Sequence, residues 1–293
     1  MSLCKPTVFT GAATALITPF RNGSIDYDAM ERLIEQQITA GISALLVAGT
    51  TGEGSTLLAS EYRALVAFSK ERIAGRVPLL AGCGANSTAR ALELTQAVCA
   101  GGADALLAVS PYYNRTNDRG LLAHYRAIAD AATRPLMLYN VPSRTGFSMT
   151  LEHYRALSDH PNVVAVKEAS MDLSLLEQVV SELGDRLDVY TGNDNQTVAA
   201  MRLGARGVIS VYSNLDPRAV SELCRLCASG DWKLAAERRR TLLPRMNALF
   251  REVNPIPVKY VASEMGLCDL EYRLPLAPPS AETARFLKGV FGG

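Results

Sequence analysis

Eight short apolar runs, each followed by a stretch of helical periodicity, restrict this chain to very few architectures. The runs are Ala12–Ile17, Ala44–Ala48, Val77–Ala81, Ala103–Val109, Pro135–Tyr139, Val163–Lys167, Leu187–Tyr190 and Gly207–Val211. Their spacing averages roughly 28 residues, the length of a strand, a helix and two short loops. They do not alternate: Ala44-Leu45-Leu46-Val47-Ala48 and Val163-Val164-Ala165-Val166 are apolar throughout, as in strands covered on both faces. The helices carry their own marks. Asp26 stands at an N-cap position before Tyr27, Met30, Leu33, Ile34 and Ile38, spaced by threes and fours, and Gly41 follows. Asn86 or Ser87 opens another helix that closes at Gly101-Gly102. The pattern predicts an α/β fold, a (β/α)8 TIM barrel; a doubly wound open sheet would also give the alternation. The barrel is expected over residues 1–230. Residues 231–293 read as a helical extension packed on it, with Pro244, Pro255 and Pro257 as helix breakers.

Composition removes several classes of function. Lys and Arg total 30 against 29 Asp and Glu, a net charge of +1, so there is no basic face for nucleic acid and no acidic tail. No apolar run approaches the ~18 residues that span a bilayer. Met1–Gly11 lacks a basic-apolar-small cleavage pattern. The six cysteines, Cys4, Cys83, Cys99, Cys224, Cys227 and Cys268, are scattered over a long chain, so reduced thiols in a cytoplasm are expected.

In such a barrel the chemistry sits where strands run into the following loops. The sixth run ends in Lys167, one of only six lysines. Side chains alternate along a strand, so Lys167 shares a face with Val163 and Ala165. If that face is the interior, burial frees the nucleophilic amine; otherwise the lysine reaches out to solvent. The second run leads into Gly49-Thr50-Thr51-Gly52-Glu53-Gly54, which suits a carboxylate or an ordinary tight turn, and lacks the Gly-Lys-Ser/Thr of a phosphate loop. The fifth ends at Tyr139, able to relay a proton, and Arg144 in the next loop can grip a carboxylate; a rim aromatic and a surface ion pair are the plainer readings. Ser110-Pro111-Tyr112-Tyr113 follows the fourth run and Gly192-Asn193-Asp194 the seventh. Cys224 and Cys227 form a lone CxxC without a second pair, so no metal is expected there. His124, His153 and His160 read as surface residues, and Arg238-Arg239-Arg240 as a solvated helix face.

Five ordered motifs carry a resemblance over essentially the whole chain. They are Gly49-Thr50-Thr51-Gly52-Glu53, Pro111-Tyr112-Tyr113, Tyr139–Gly146, Val166-Lys167-Glu168-Ala169 and Asn254-Pro255-Ile256-Pro257-Val258-Lys259. Together they resemble the dihydrodipicolinate synthase family of pyruvate-dependent class I aldolases, the superfamily of N-acetylneuraminate lyase. The resemblance implies a barrel with a carboxyl-terminal helical extension and no metal or organic cofactor. It implies a Schiff base between Lys167 and pyruvate, and proton passage through Tyr139, Thr50 and Tyr113. Tyr113 would reach in from a neighbouring subunit, hence a homo-oligomer, a dimer of dimers. Thr51 would hold the pyruvate carboxylate, Arg144 the carboxylate of aspartate semialdehyde, and Gly192 and Ile209 would face the ligand with their backbones. The expected product is 4-hydroxy-tetrahydrodipicolinate, on the route to lysine and diaminopimelate.

Two other readings stay open on the residues: a pyruvate aldolase or lyase for a different aldehyde or keto sugar acid, and a keto-acid sensor without turnover. One departure matters. Family members inhibited by lysine carry an acid where Asn86-Ser87-Thr88-Ala89-Arg90 places Arg90, and Gly54 and Ala59 replace polar residues, while Asn86 and Tyr112 remain. A cation facing a cation predicts weak or absent lysine feedback.

Overall fold

In the computed structural model, which describes residues 5–292, the eight runs become eight strands. They are β1 (Gly11–Ala15), β2 (Ala44–Val47), β3 (Leu79–Gly82), β4 (Ala105–Val109), β5 (Leu136–Asn140), β6 (Val163–Glu168), β7 (Asp188–Thr191) and β8 (Gly207–Ser210). Each pairs in parallel with the next, and β8 returns to β1 with Ile209 opposite Ala13. The sheet is a closed barrel, which removes the open doubly wound alternative. β4 starts at Ala105 because Asp104 leaves the strand: its carboxylate takes the Lys70 ammonium at 2.6 Å and the Leu79 amide at 2.9 Å. Asp26 caps the helix Tyr27–Thr39 by accepting from the Ala29 amide at 3.0 Å.

Three elements differ from the sequence reading. A hairpin pairs Phe20–Arg21 with Ser24–Ile25, and its turn residues Asn22 and Gly23 have φ of 53° and 77°, as an Asn-Gly hairpin turn requires. Pro244 does not break a helix. It lies inside Trp232–Ala248, whose Leu242, Met246 and Ala248 are buried, and that apolar anchorage offsets a lost backbone bond. Pro255 and Pro257 likewise do not end a helix but start one, at Ile256–Glu264, where a missing N–H costs nothing. A last helix spans Ala281–Phe291.

Two histidines and two arginines are also corrected. His124 and His153 are buried, not on the surface. His124 meets the Thr88 hydroxyl at 2.9 Å, and His153 caps its own helix by accepting from the Thr150 amide at 3.0 Å. The apolar bodies of these rings fill inward positions while Nδ1 of each finds a partner, and His153 Nε2 also meets Asp118 at 3.1 Å. Half-buried Arg238 and Arg239 tie to Glu222 at 3.1 Å and to the Asn195 carbonyl at 2.7 Å; Arg240 is exposed. Cys224 and Cys227 are buried on the eighth barrel helix, Pro217–Ala228. Cys4 lies outside the described residues.

The core is two-layered. Ala13, Leu46, Leu80, Met137, Ala165 and Ile209 fill the interior, and a larger apolar layer joins strands to helices. Phe9, just ahead of β1, enters the inner layer from the amino-terminal end and stacks on Tyr190, ring centroids 4.2 Å apart. A register shift between β5 and β6 pairs Leu136 with Val163 but Met137 with Ala165. Val163 therefore faces outward, in the outer layer, against the expectation that it shares a face with Lys167. The bulge changes the phase of the strand, and Ala165 and Lys167 keep the inner face. Among the described residues, no helix is long and apolar enough to cross a membrane.

Candidate active site

A cavity of about 700 Å³ opens at the carboxyl ends of the strands, walled by Thr51, Tyr139, Arg144, Lys167, Gly192 and Asp194 among others. Lys167 ends an apolar strand and is 6% exposed. It stands beside Tyr139 in the β5–β6 register, with Nζ 4.5 Å from the phenol ring centroid. Burial holds the ammonium down at about 8, helped by Arg144 and opposed by the Asp194 carboxylate. Burial conversely raises the Tyr139 phenol, while Arg144 and a hydrogen bond with Thr50 pull it back. At neutral pH roughly a tenth of the amine is then free, where an ordinary lysine offers about a thousandth or less.

Gly192 is where the site needs a residue without a side chain. A Cβ there would lie 2.8 Å from Lys167 Cε and 2.7 Å from Ala169 Cβ. Thr50 and Thr51 lie in a turn bounded by two left-handed non-glycine residues, Ala48 at φ 52° and Glu53 at φ 53°, a conformation held only by its surroundings. Arg144 sits on the one-turn helix Pro142–Thr145 and donates from Nη2 to the Asn254 carbonyl at 2.8 Å.

The structure brings together Lys167, Tyr139, Thr50, Thr51, Arg144 and Gly192. It does not bring Ile209 to the wall: that side chain packs in the inner layer, and Val211 reaches the cavity. Nor does Tyr113 join Tyr139 and Thr50 within the chain, being 90% exposed with φ 68°.

The sequence reading gave no role to several buried polar groups. Glu168, next to Lys167, accepts from Asn140 Nδ2 at 3.0 Å, the Tyr154 hydroxyl at 2.7 Å and the Ser170 amide at 2.8 Å, which pins the strand end behind the lysine. Asp194 accepts from the Val211 and Tyr212 amides at 2.9 and 3.0 Å. Asn254 donates Nδ2 to Thr51 Oγ1 at 3.0 Å. A carboxylate adjoining a lysine in an apolar strand was the one available signal; the others need the fold. Among the described residues, no group of three or more His, Cys, Asp or Glu is arranged to hold a metal ion.

A second cavity, of about 300 Å³, lies behind Thr50 and Tyr139, with Gly54, Tyr62, Cys83, Arg90 and Tyr112 in its wall. Asn86 and Ala59 are not part of that wall. Arg90 is bound to Glu93 at 2.6 Å.

The model of the dihydrodipicolinate synthetase family matches residues 8–290. A 4-hydroxy-tetrahydrodipicolinate synthase of Exiguobacterium sibiricum is 46% identical, over 97% of this chain and 100% of that protein. The crystal structure of a dihydrodipicolinate synthase of Aquifex aeolicus superposes with a TM-score of 0.94 at 40% identity, covering 97% of both chains. That of the chloride-inhibited dihydrodipicolinate synthase of Acinetobacter baumannii, complexed with pyruvate, gives 0.94 at 39% identity, covering 98% of both chains.

Proposed function

The chain belongs to the dihydrodipicolinate synthetase family and has 4-hydroxy-tetrahydrodipicolinate synthase activity, and we propose that Lys167 carries it by joining pyruvate to L-aspartate 4-semialdehyde. It is a lyase of lysine and diaminopimelate biosynthesis that uses pyruvate. The observation that supports the role of Lys167 is its buried ammonium 4.5 Å from the Tyr139 ring, held at about 8.

The neutral amine attacks the keto carbon, and water leaves with the carbonyl oxygen. The iminium is an electron sink that acidifies the pyruvate methyl group. Loss of a methyl proton gives an enamine, whose carbon adds to the aldehyde, and the alkoxide takes a proton. Tyr139 moves these protons, its phenol aligned by Thr50. Attack of the acceptor's amino group on the iminium closes the six-membered ring and releases the Lys167 amine. Thr51 holds the pyruvate carboxylate. Arg144, whose charge acts on Lys167 from the cavity wall, receives the acceptor carboxylate with its fork of donors.

The site of one protomer takes Tyr113 from its partner in this reading. Its 90% exposure supports this, as do exposed Leu58 and Leu274, at 65% and 83%; the protein is read as a homo-oligomer, a dimer of dimers. The setting is read as cytoplasmic, in line with free thiols at Cys83, Cys99, Cys224, Cys227 and Cys268.

The test is borohydride reduction in the presence of pyruvate, followed by peptide mapping. An adduct on Lys167 alone, and turnover of aspartate semialdehyde above other aldehydes in a panel, are the expected results. An adduct spread over Lys70, Lys233 and Lys288, or none, would remove Lys167 from the mechanism.

A further inference from the structure

The carboxyl-terminal extension grips the catalytic end of the barrel around one buried ion pair. Lys259 Nζ lies 2.5 Å from Glu53 Oε1, and both side chains are fully buried. The ammonium also sits 4.2 Å from the Phe20 ring centroid and 5.3 Å from that of Tyr272. The other Glu53 oxygen accepts from the Arg273 amide at 3.1 Å. Glu53 thus anchors the left-handed end of the turn that presents Thr50 and Thr51.

Lys259 belongs to the helix Ile256–Glu264, and the chain just before that helix reaches the site. Asn254, 5% exposed, touches two binding residues at once: Nδ2 donates to Thr51 Oγ1 at 3.0 Å, and its carbonyl accepts from Arg144 at 2.8 Å. One residue therefore bridges the β2 turn to the β5 loop. The pair fixes both sides of that bridge, the turn through Glu53 and the helix through Lys259.

A buried ion pair is a weak means of gaining stability, because desolvation cancels most of the attraction. Its distinguishing property is geometric: an unpaired charge at either end is so costly that only one arrangement survives. We propose that Glu53 and Lys259 are positioning residues that set the spacing between Thr51 and Arg144, and with it the fit of the acceptor's carboxylate. Neither touches substrate; both act through Asn254 and the turn. The inference rests on the reading of Arg144 as the acceptor-carboxylate residue.

The experiment is steady-state kinetics of three full-length variants with both substrates varied. Glu53→Asp keeps both charges and shortens the reach by one methylene, and aspartate tolerates left-handed backbone. It is expected to raise the KM for aspartate semialdehyde by about fivefold or more, and that for pyruvate as well, because the same turn presents Thr51. Glu53→Gln/Lys259→Met removes both charges at similar volume and is expected to show the same rises in KM, larger. Should the double variant not fold, Glu53→Asp decides alone. Arg144→Lys is the control. If it moves the acceptor KM and Glu53→Asp, melting as the parent does, moves neither KM, the pair is structural only and the proposal falls. If Arg144→Lys leaves the acceptor KM unmoved, the reading of Arg144 fails and the proposal falls with it.

Discussion

Tyr139 and Lys167 are direct partners in the register of neighbouring strands, and the lysine ammonium lies 4.5 Å from the phenol ring centroid. A hydrogen-bonded ladder of the barrel thus holds the amine and the phenol together, on elements with no freedom to drift apart. The inner face of β6 gives Lys167 its depressed basicity, and the predictions below follow from that burial.

The rate of adduct formation with pyruvate should depend on pH through the amine. The reactive species is the neutral form, and burial brings the ammonium to about 8. The trapped adduct should therefore form about tenfold faster for each pH unit between 6 and 7 and level off above about 8. Rapid-quench borohydride trapping reads this. A rise that continues toward pH 10 would mean that the lysine is solvated as an ordinary one is.

Replacing the lysine should make the protein more stable. In the folded chain Lys167 gives up its proton near 8, against 10.5 when unfolded, so its burial costs about 3 kcal/mol at pH 7. The penalty is fully present below the folded value and is relieved as pH rises from 8 toward 10.5, where the unfolded state binds more protons. Lys167→Met should abolish the adduct and raise stability at pH 7 by about 1–3 kcal/mol, the gain shrinking by pH 10. Urea titrations at the two pH values check both signs; a less stable variant at pH 7 would contradict the account.

Gly192→Ala should impair chemistry while sparing the fold. The new methyl would stand 2.8 Å from Lys167 Cε, inside any tolerable contact, so the flexible lysine tip has to move. A displacement of a few tenths of an ångström at the nucleophile should lower kcat by about tenfold or more, with the thermal midpoint little changed. Wild-type adduct formation in this variant would show that the close approach is without consequence.

L-Lysine should be a poor inhibitor. The wall behind Thr50 and Tyr139 carries Arg90, and its Glu93 partner lies three residues further along the same helix. A ligand ammonium meeting that guanidinium finds repulsion in place of a carboxylate. Half-maximal inhibition should lie above about 1 mM, which corresponds to binding weaker than ~4 kcal/mol. A steady-state titration decides it.

Much of this was legible in the residues, for identifiable reasons. The strands were readable because both their faces are buried, and a run such as Ala44–Val47 has no polar position to blur it. The places of Lys167 and Tyr139 in the cavity wall were readable because a charge or phenol at the end of such a run is conspicuous. The bulge at Val163–Val164 was not, since an apolar run looks the same in either phase. Pro244 misled because its local cost is visible in sequence while the burial of Leu242 and Met246 that offsets it is not. Glu53, Asp194 and Asn254 act through partners far away in the chain. Glu53 meets Lys259, and Asn254 meets Thr51 and Arg144; no local pattern encodes such pairings.

Phe9 stacked on Tyr190 has a consequence for traffic. With its amino-terminal end stoppered by two aromatic rings and filled by the inner apolar layer, the barrel is, among the described residues, closed at that end, and the cavity's doorway is at the other. Both reactants and the cyclic product share that doorway, which Phe250, Glu252 and Val253 of the extension border. On the proposed mechanism the reactant that Lys167 bonds goes in first, and the second then waits above it. Ordered addition would then be a property of the container's shape as well as of the amine.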